Sequence, residues 1–407
     1  MCTIVRMGSR VLLSPSPVER RARAAVAALF LTNGALFANL LPRYPEIKAE
    51  LGIGNTAYGL AIAAFPAGAI VAGLAAAVLV RRFGSGRVAV AGTVLTGAGT
   101  LAAGVAPSVA VFAAALFLTG AMDAITDVAQ NAHGLRVQRR YGRSIINSFH
   151  AVWSVGAVLG GAMAAGAITF GLPRGIHLAG SGIVFAAVAL VALRHCLPGP
   201  DGDPGEATPR AGEARRRIPA RTALVLAALV AIAIAGVVVE DAGNSWAAVY
   251  LSGSLHAPAA LAAFGYIALV GAQFAGRLAG DRLVDRFGQR AVARAGGLVA
   301  ASGMALALAV PTVPGTILGF AAAGLGVATL VPAAMHEADE LPGLRPGTGL
   351  TVVSWLMRLG FLLSPPLVGI VADAAGLRLG LLVVPLAGIA VVVLASVLRP
   401  RRRVTVS

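Results

Sequence analysis

Apolar residues run along this chain in solid blocks rather than in alternating stripes. "VAVFAAALFLTGA" (109–121) is nearly pure hydrocarbon, and comparable runs recur from end to end. Runs of about 18 or more apolar residues are long enough to cross a bilayer as helices. The blocks predict twelve spans, at 24–42, 57–79, 88–106, 109–131, 146–170, 176–195, 220–240, 259–281, 291–310, 313–333, 348–371 and 377–398. Proline and glycine inside them are compatible with a helix packed among other membrane helices. The strands of a membrane barrel would be about 10 residues long and would alternate. The expected fold class is therefore an all-α membrane protein with twelve transmembrane helices.

Composition removes the soluble alternative. The 407 residues are 57% hydrophobic and only 12% charged, against roughly 25% charged in a soluble domain. There is too little polar sequence to cover a globular surface.

Charge then orients the spans. The net charge is +16, with arginines clustered after alternate spans: Arg81, Arg82 and Arg87; Arg136, Arg139, Arg140 and Arg143; Arg215–Arg217; Arg282, Arg286 and Arg290; Arg399 and Arg401–Arg403. The other side carries few: Arg43, Lys48, Arg174 and Arg378. The positive-inside rule explains this distribution better than nucleic-acid binding does. Both termini and the central loop are expected in the cytoplasm. The chain divides into a basic leader (1–23), a six-helix half (24–196), a Pro-, Gly- and charge-rich linker (197–219), a second six-helix half (220–398) and a basic tail (399–407). No small-residue cleavage site follows the leader, so it does not read as a cleaved signal peptide.

The halves echo each other. "VRRFGSGR" (80–87) lies between spans 2 and 3, and "VDRFGQR" (284–290) between spans 8 and 9. The same motif at the same place in each half supports duplication, a common plan of transporters.

The fuller second copy, "GRLAGDRLVDRFGQR" (276–290), resembles the loop signature of the major facilitator superfamily. The match rests on Asp281, Asp285, Arg286, Gly288 and Arg290. The first copy keeps Arg82, Gly84 and Arg87, but Arg81 stands where the family has Asp. The resemblance implies two pseudo-symmetric six-helix halves, with these loop charges bracing an inner gate. The segment "DVAQNAHGLRVQRRYGRSIINSFHAVWSVGAVLGG" (127–161) is similar to a bacterial branch related to fucose permease, through Asp127, Asn131, Gly134, Arg143, Ser148, Phe149, His150 and Ser154. "VEDAGNSWAAVYL" (239–251) and "GFLLSPPLVG" (360–369) resemble the same branch.

Polar residues inside the spans are the candidate chemistry. Asp123, Asp127 and Asn131 follow one stripe of span 4. Counted back from Asn131, Asp123 is about 12 Å deep and Asp127 about half that. Such a carboxylate faces protein or a wet cavity, as a proton relay, a solute contact or a helix clamp. Arg358, at similar depth in span 11, is expected to pair with Asp123, share its cavity or meet an anionic cargo. Asn33 and Gln273 are solute contacts or interhelical hydrogen bonds. Glu240 ends span 7 at the external mouth, beside Trp246, which equally fits an interfacial belt. His150 suits proton coupling or a hydrogen bond to the end of span 4. The expected solute and proton path is Asp123, Arg358, Asn33, Gln273 and Glu240. The inner gate or its bracing is assigned to Asp127, Asn131, His150, Asp281, Asp285, Arg286, Arg290 and Arg82.

These features point to a secondary transporter of a small polar solute, a sugar among the candidates, working by alternating access with proton coupling in view. A proton-driven efflux pump is the main alternative; a channel or receptor on the same scaffold, and a membrane enzyme, are weaker ones. No Gly-x-x-x-x-Gly-Lys-Ser/Thr stretch suggests an ATP motor. "HEADE" (336–340) lacks the second histidine of a zinc helix, and Cys2 and Cys196 make no disulfide framework. No metal, cofactor or catalytic group is assigned. A monomer in a bacterial inner membrane is expected.

Overall fold

The computed structural model describes residues 16–142, 144–199, 219–345 and 347–399. It is all-helical, and eleven helices among the described residues are long and apolar enough to cross a membrane. They are α1 (Pro17–Glu50), α2 (Asn55–Phe83), α4 (Val109–Tyr141), α5 (Ile146–Thr169), α6 (Arg174–Leu193), α7 (Ala220–Ser254), α8 (Ala259–Phe287), α9 (Gln289–Ala309), α10 (Val313–Asp339), α11 (Thr348–Ala375) and α12 (Leu377–Val397). The twelfth, α3 (Ser85–Gly104), is richer in glycine and threonine. Large apolar side chains such as Leu74, Leu118, Ile183, Leu306 and Leu386 stand exposed on the outer wall, as a bilayer-facing surface requires. Arg143 and most of the leader, linker and tail lie outside the described residues.

Local sequence sets the helix ends. Ser16 and Glu19 form a capping box ahead of Pro17, which opens α1. Gly84 (φ 86°, ψ 142°) and Gly288 (φ 84°, ψ 153°) end α2 and α8 with nearly the same backbone. That left-handed region favours glycine, and each glycine also starts the next helix of its half. The duplicated RFG motif is thus duplicated geometry, and the chain is two pseudo-symmetric six-helix halves.

Two helices outrun their apolar blocks. α4 continues to Tyr141, ten residues past the expected end, because Gln130, His133 and Arg136 are buried among protein rather than turned to solvent. α7 continues through Val249 into a π-helical turn, Tyr250–Ser254. Glu240 is therefore not at an external mouth. It sits within the helix, with nine further α-helical residues and the π-helical turn beyond it.

The halves meet chiefly on one side of the molecule, the face opposite the arginine-rich loops. Among the described residues, four hydrogen bonds join them. Asp373 accepts from the Asn55 and Thr56 N–H groups at 2.9 and 2.8 Å. The Tyr58 hydroxyl donates to the Ser245 carbonyl at 2.7 Å, and the Tyr266 hydroxyl reaches the Ala157 carbonyl at 3.4 Å. Gly59 and Gly369 let α2 and α11 touch backbone to backbone: a Cβ would lie 2.3 Å from the Pro365 carbonyl oxygen and 2.4 Å from that of Asn55, respectively. Tyr58 stacks edge-on against Trp246 at 4.9 Å and against Tyr44 at 5.8 Å. Trp246 is fully buried in this seal and is no interfacial belt residue. This face is closed.

Candidate functional site

Below the seal, each half presents its own polar cluster. In the first half, Asn33 of α1 bridges two neighbours. Its amide donates to Asp123 Oδ1 of α4 at 2.8 Å, and its carbonyl accepts the Trp153 indole N–H of α5 at 2.8 Å. In the second half, Gln273 of α8 donates to Glu240 Oε2 of α7 at 2.7 Å, and Arg277, one turn along α8, approaches the same oxygen at 3.9 Å. Gln273 is buried, and the Glu240 side chain is 19% exposed.

The clusters face one another across a pocket lined by Trp153, Ser154 and Ala157 from one half and Glu240, Asn244, Tyr266, Val270 and Gln273 from the other. Its volume is about 30 Å³, room for one water-sized occupant. The Asn244 side-chain oxygen is buried without a partner among the described residues. An unsatisfied buried acceptor costs free energy unless a ligand or water meets it.

Nearer the arginine-rich face, Asp127 within α4 and His150 in the second turn of α5 are exposed; Arg358 and Arg277 of the other half lie within electrostatic reach of them, so they line an opening between the halves. Asp127 is bound by Asn131 one turn on, at 2.9 Å, and lies within electrostatic reach of His150 and Arg358. Arg358 thus shares its surroundings with Asp127, whereas Asp123 has Asn33 as partner. Of the three alternatives for Arg358, an ion pair with Asp123 does not form among the described residues: Asn33 holds Asp123, which the extended α4 sets deeper. His150 packs edge-on against Phe30 at 5.2 Å.

The loop signature is less networked than its resemblance implies. Asp281 and Asp285 are exposed and make no ion pair among the described residues. Arg82 and Arg286 lie over the neighbouring Phe83 and Phe287 rings. Among the described residues of this signature, only Arg290 braces another element, donating to the Leu398 carbonyl at 2.8 Å. In "HEADE", Glu337 and Glu340 pair with Arg399, and His336 lies 3.6 Å from Glu340; the motif ties α10 to the end of α12.

Sequence reasoning missed three features. Ser85 and His133 interact at 2.7 Å, and His133 accepts the Leu197 N–H. Arg136 gathers the carbonyls of Leu197, Pro198 and Gly199, fixing the chain that leaves α6. Asp373 is the third. A carboxylate near a helix C-terminus opposes the helix dipole, and that misfit was the available signal.

Two six-helix bundles, related by repeat, closed on one face and polar at their shared centre, define a membrane carrier scaffold. The chain belongs to the Major Facilitator Superfamily: the model of that family matches residues 26–284 and 244–407. It is 32% identical over 374 residues, 92% of this chain and 97% of the other, to the uncharacterized transporter y4wD of Sinorhizobium fredii (strain NBRC 101917 / NGR234). It is 29% identical to the membrane protein MosC of Rhizobium meliloti, over 95% of this chain and 92% of that protein. Among solved structures, a bacterial homologue of the human lysosomal transporter Spinster, in an inward-facing and unoccupied conformation, superposes with a TM-score of 0.72 at 14% identity, over 96% and 98% of the two chains. That likeness shows the fold alone.

Proposed function

We propose that this protein is a secondary active transporter that carries a small polar solute, coupled to the proton gradient, and that the pocket between Trp153 and Gln273 is where the halves grip it. The alternating-access mechanism itself goes with family membership and with the one-sided closure. The observation that carries the site is the meeting of two polar clusters across a pocket shared by both halves. A solute there touches both halves at once, so their rocking changes its exposure. The pocket holds only a water-sized group, so the solute's polar end enters it and its remainder lies in the opening below.

The roles follow from position. Glu240, Gln273 and Asn244 offer acceptors and an amide; Trp153 and Tyr266 supply aromatic walls, as sugar-like and other hydroxylated solutes require. Asp123 acts through Asn33, which sets the Trp153 indole. Asp127, His150 and Arg358 line the path toward the arginine-rich face. By the positive-inside rule that face is cytoplasmic, with both termini on it, in the inner membrane of a bacterium. The likeness of residues 127–161 to the fucose permease-related branch supports a sugar as the first solute to try.

The test is uptake into proteoliposomes across a panel of radiolabelled sugars, amino acids and nucleosides, with and without an imposed proton gradient. Glu240→Gln and Gln273→Ala should each lower uptake of the responsive solute by roughly tenfold or more, the loss of a charge-assisted hydrogen bond. Undiminished uptake by both variants sinks the site. Uptake indifferent to collapse of the gradient sinks the coupling.

A further inference from the structure

Asp241, beside Glu240 on α7, is turned the other way and serves no role above. It is 7% exposed and lies directly beneath the closed face. Its Oδ1 accepts from the Ser245 hydroxyl at 3.2 Å, and its Oδ2 has no partner among the described residues. Ser364 of α11 is its other hydroxyl neighbour, and the Ser364 Oγ also lacks a partner there.

Among the described residues, the surroundings offer this carboxylate no countercharge. Its electrostatic neighbours are Glu240 on its own helix, Tyr44 from α1 and Tyr58 from α2. From α8, Tyr266 reaches Glu240 and Tyr44, and Arg277 is directed at Glu240. The stretch Val383–Leu394 of α12 carries no titratable side chain, and those of α10 (His336, Glu337 and Asp339) stand at its far end; on α11, Arg358 acts on Asp127 and Asp373 is taken up by the Asn55 and Thr56 N–H groups. Arg43 is engaged with Glu46 and the Leu172 carbonyl, and Arg378 with the carbonyls of Leu308 and Ala309. A bare carboxylate in such a place is far costlier than the neutral acid. The neutral acid also resolves both unpartnered atoms, since an O–H on Oδ2 can donate to Ser364 Oγ.

We infer that Asp241 is a proton-binding site that takes its proton from water while the face opposite the arginine-rich loops is open and must hold it for that face to close. The lid over it is specific. Tyr58 donates to the carbonyl of Ser245, one turn from Asp241, and covers Trp246. Parting α2 from α7 breaks that bond and admits water, so the acid ionises to a carboxylate and a solvated proton. Reclosing requires a proton to return. Asp123 is worse placed for this duty, because Asn33 already satisfies it on the far side of the pocket. The inference deepens the proton-coupled reading and rests on it.

The test needs no solute. Spin labels at Ala49→Cys and Ala375→Cys, in a background without Cys2 and Cys196, report the gap across the closed face in nanodiscs. Raising pH from about 5 to about 9 should move the wild-type protein from a short to a long distance, because ionisation opposes closure. Asp241→Asn should hold the short distance throughout, and Asp123→Asn should respond like the wild type. An Asp241→Asn protein that follows the wild-type curve, or a wild type indifferent to pH, overturns the inference. If Asp241→Asn does not fold, Ser364→Ala should shift the infrared C=O band of a protonated carboxylic acid, and an unshifted band overturns it. Alternating access itself fails separately, if even Gly59→Val, which wedges α2 from α11, never shows the long distance.

Discussion

Asp373 caps a helix of the other half: its carboxylate accepts the Thr56 N–H at 2.8 Å and that of Asn55 at 2.9 Å. α2 has only Gly54 at its own capping position, with no side chain to do this. A carboxylate at a helix N-terminus is favoured both as an acceptor and by the helix dipole, and here that favour exists only while the halves touch. Asp373→Ala should therefore raise the open population of this face severalfold without unfolding either half. Cysteine accessibility at Ala49 reads it, and an unchanged labelling rate would show that the cap does not hold the face shut.

Backbone contact between α2 and α11 leads to a stronger effect. A Cβ at Gly369 would meet the Asn55 carbonyl at 2.4 Å, and backbone atoms yield less readily than side-chain ends. Overpacking a closed interface costs about 1–3 kcal/mol, or roughly five- to a hundredfold in the closed population. Gly369→Ala should keep the protein folded and monodisperse, open the face and lower transport by at least about fivefold. Wild-type transport in that variant would mean that the helices close at a different register.

The limits of reading such a chain from sequence show in these same residues. Hydrophobic blocks placed all twelve helices, because bilayer thickness dictates run length. The RFG repeat marked Gly84 and Gly288, because a positive φ leaves few residue choices. The ends of α4 and α7 were not legible, since polar residues such as His133 and Arg136 continue a helix when other helices satisfy them. Asn33, Asp123, Gln273 and Glu240 were identified as polar groups inside spans. Their pairing was not, because no spacing rule links α1 to α4 or α7 to α8. Asp373 was missed because its partner lies more than 300 residues earlier, where no spacing rule points.

Cys196 offers a check on the arginine-rich side. It follows α6, packs toward Gly86, and burial pushes its thiol from 9.0 up to about 11. Only the thiolate alkylates, so at neutral pH the reactive fraction is on the order of 100-fold below that of an ordinary thiol. In a Cys2→Ala protein, maleimide labelling should be slow near pH 7 and rise with each step of pH toward about 11. Fast labelling at neutral pH would mean that the α3 and α6 ends part in solution.

Asn33 makes the last prediction the most discriminating. Its amide and carbonyl are both used, on Asp123 and on Trp153, and the residue is buried. Asn33→Leu leaves a carboxylate and an indole N–H unmet, at about 1–3 kcal/mol for each buried orphan. Asp123→Asn keeps a carbonyl oxygen to accept from Asn33 and should cost much less. The two should also be non-additive: with Leu at both positions, the loss should be smaller than the sum of the single losses. Thermal unfolding in detergent measures the stability part, and Trp153 fluorescence measures whether the indole has left its place. If the three residues form one unit, Asn33→Leu shifts the Trp153 emission while Asp123→Asn does not. Equal shifts would mean that Asp123 meets Trp153 by a route that bypasses Asn33.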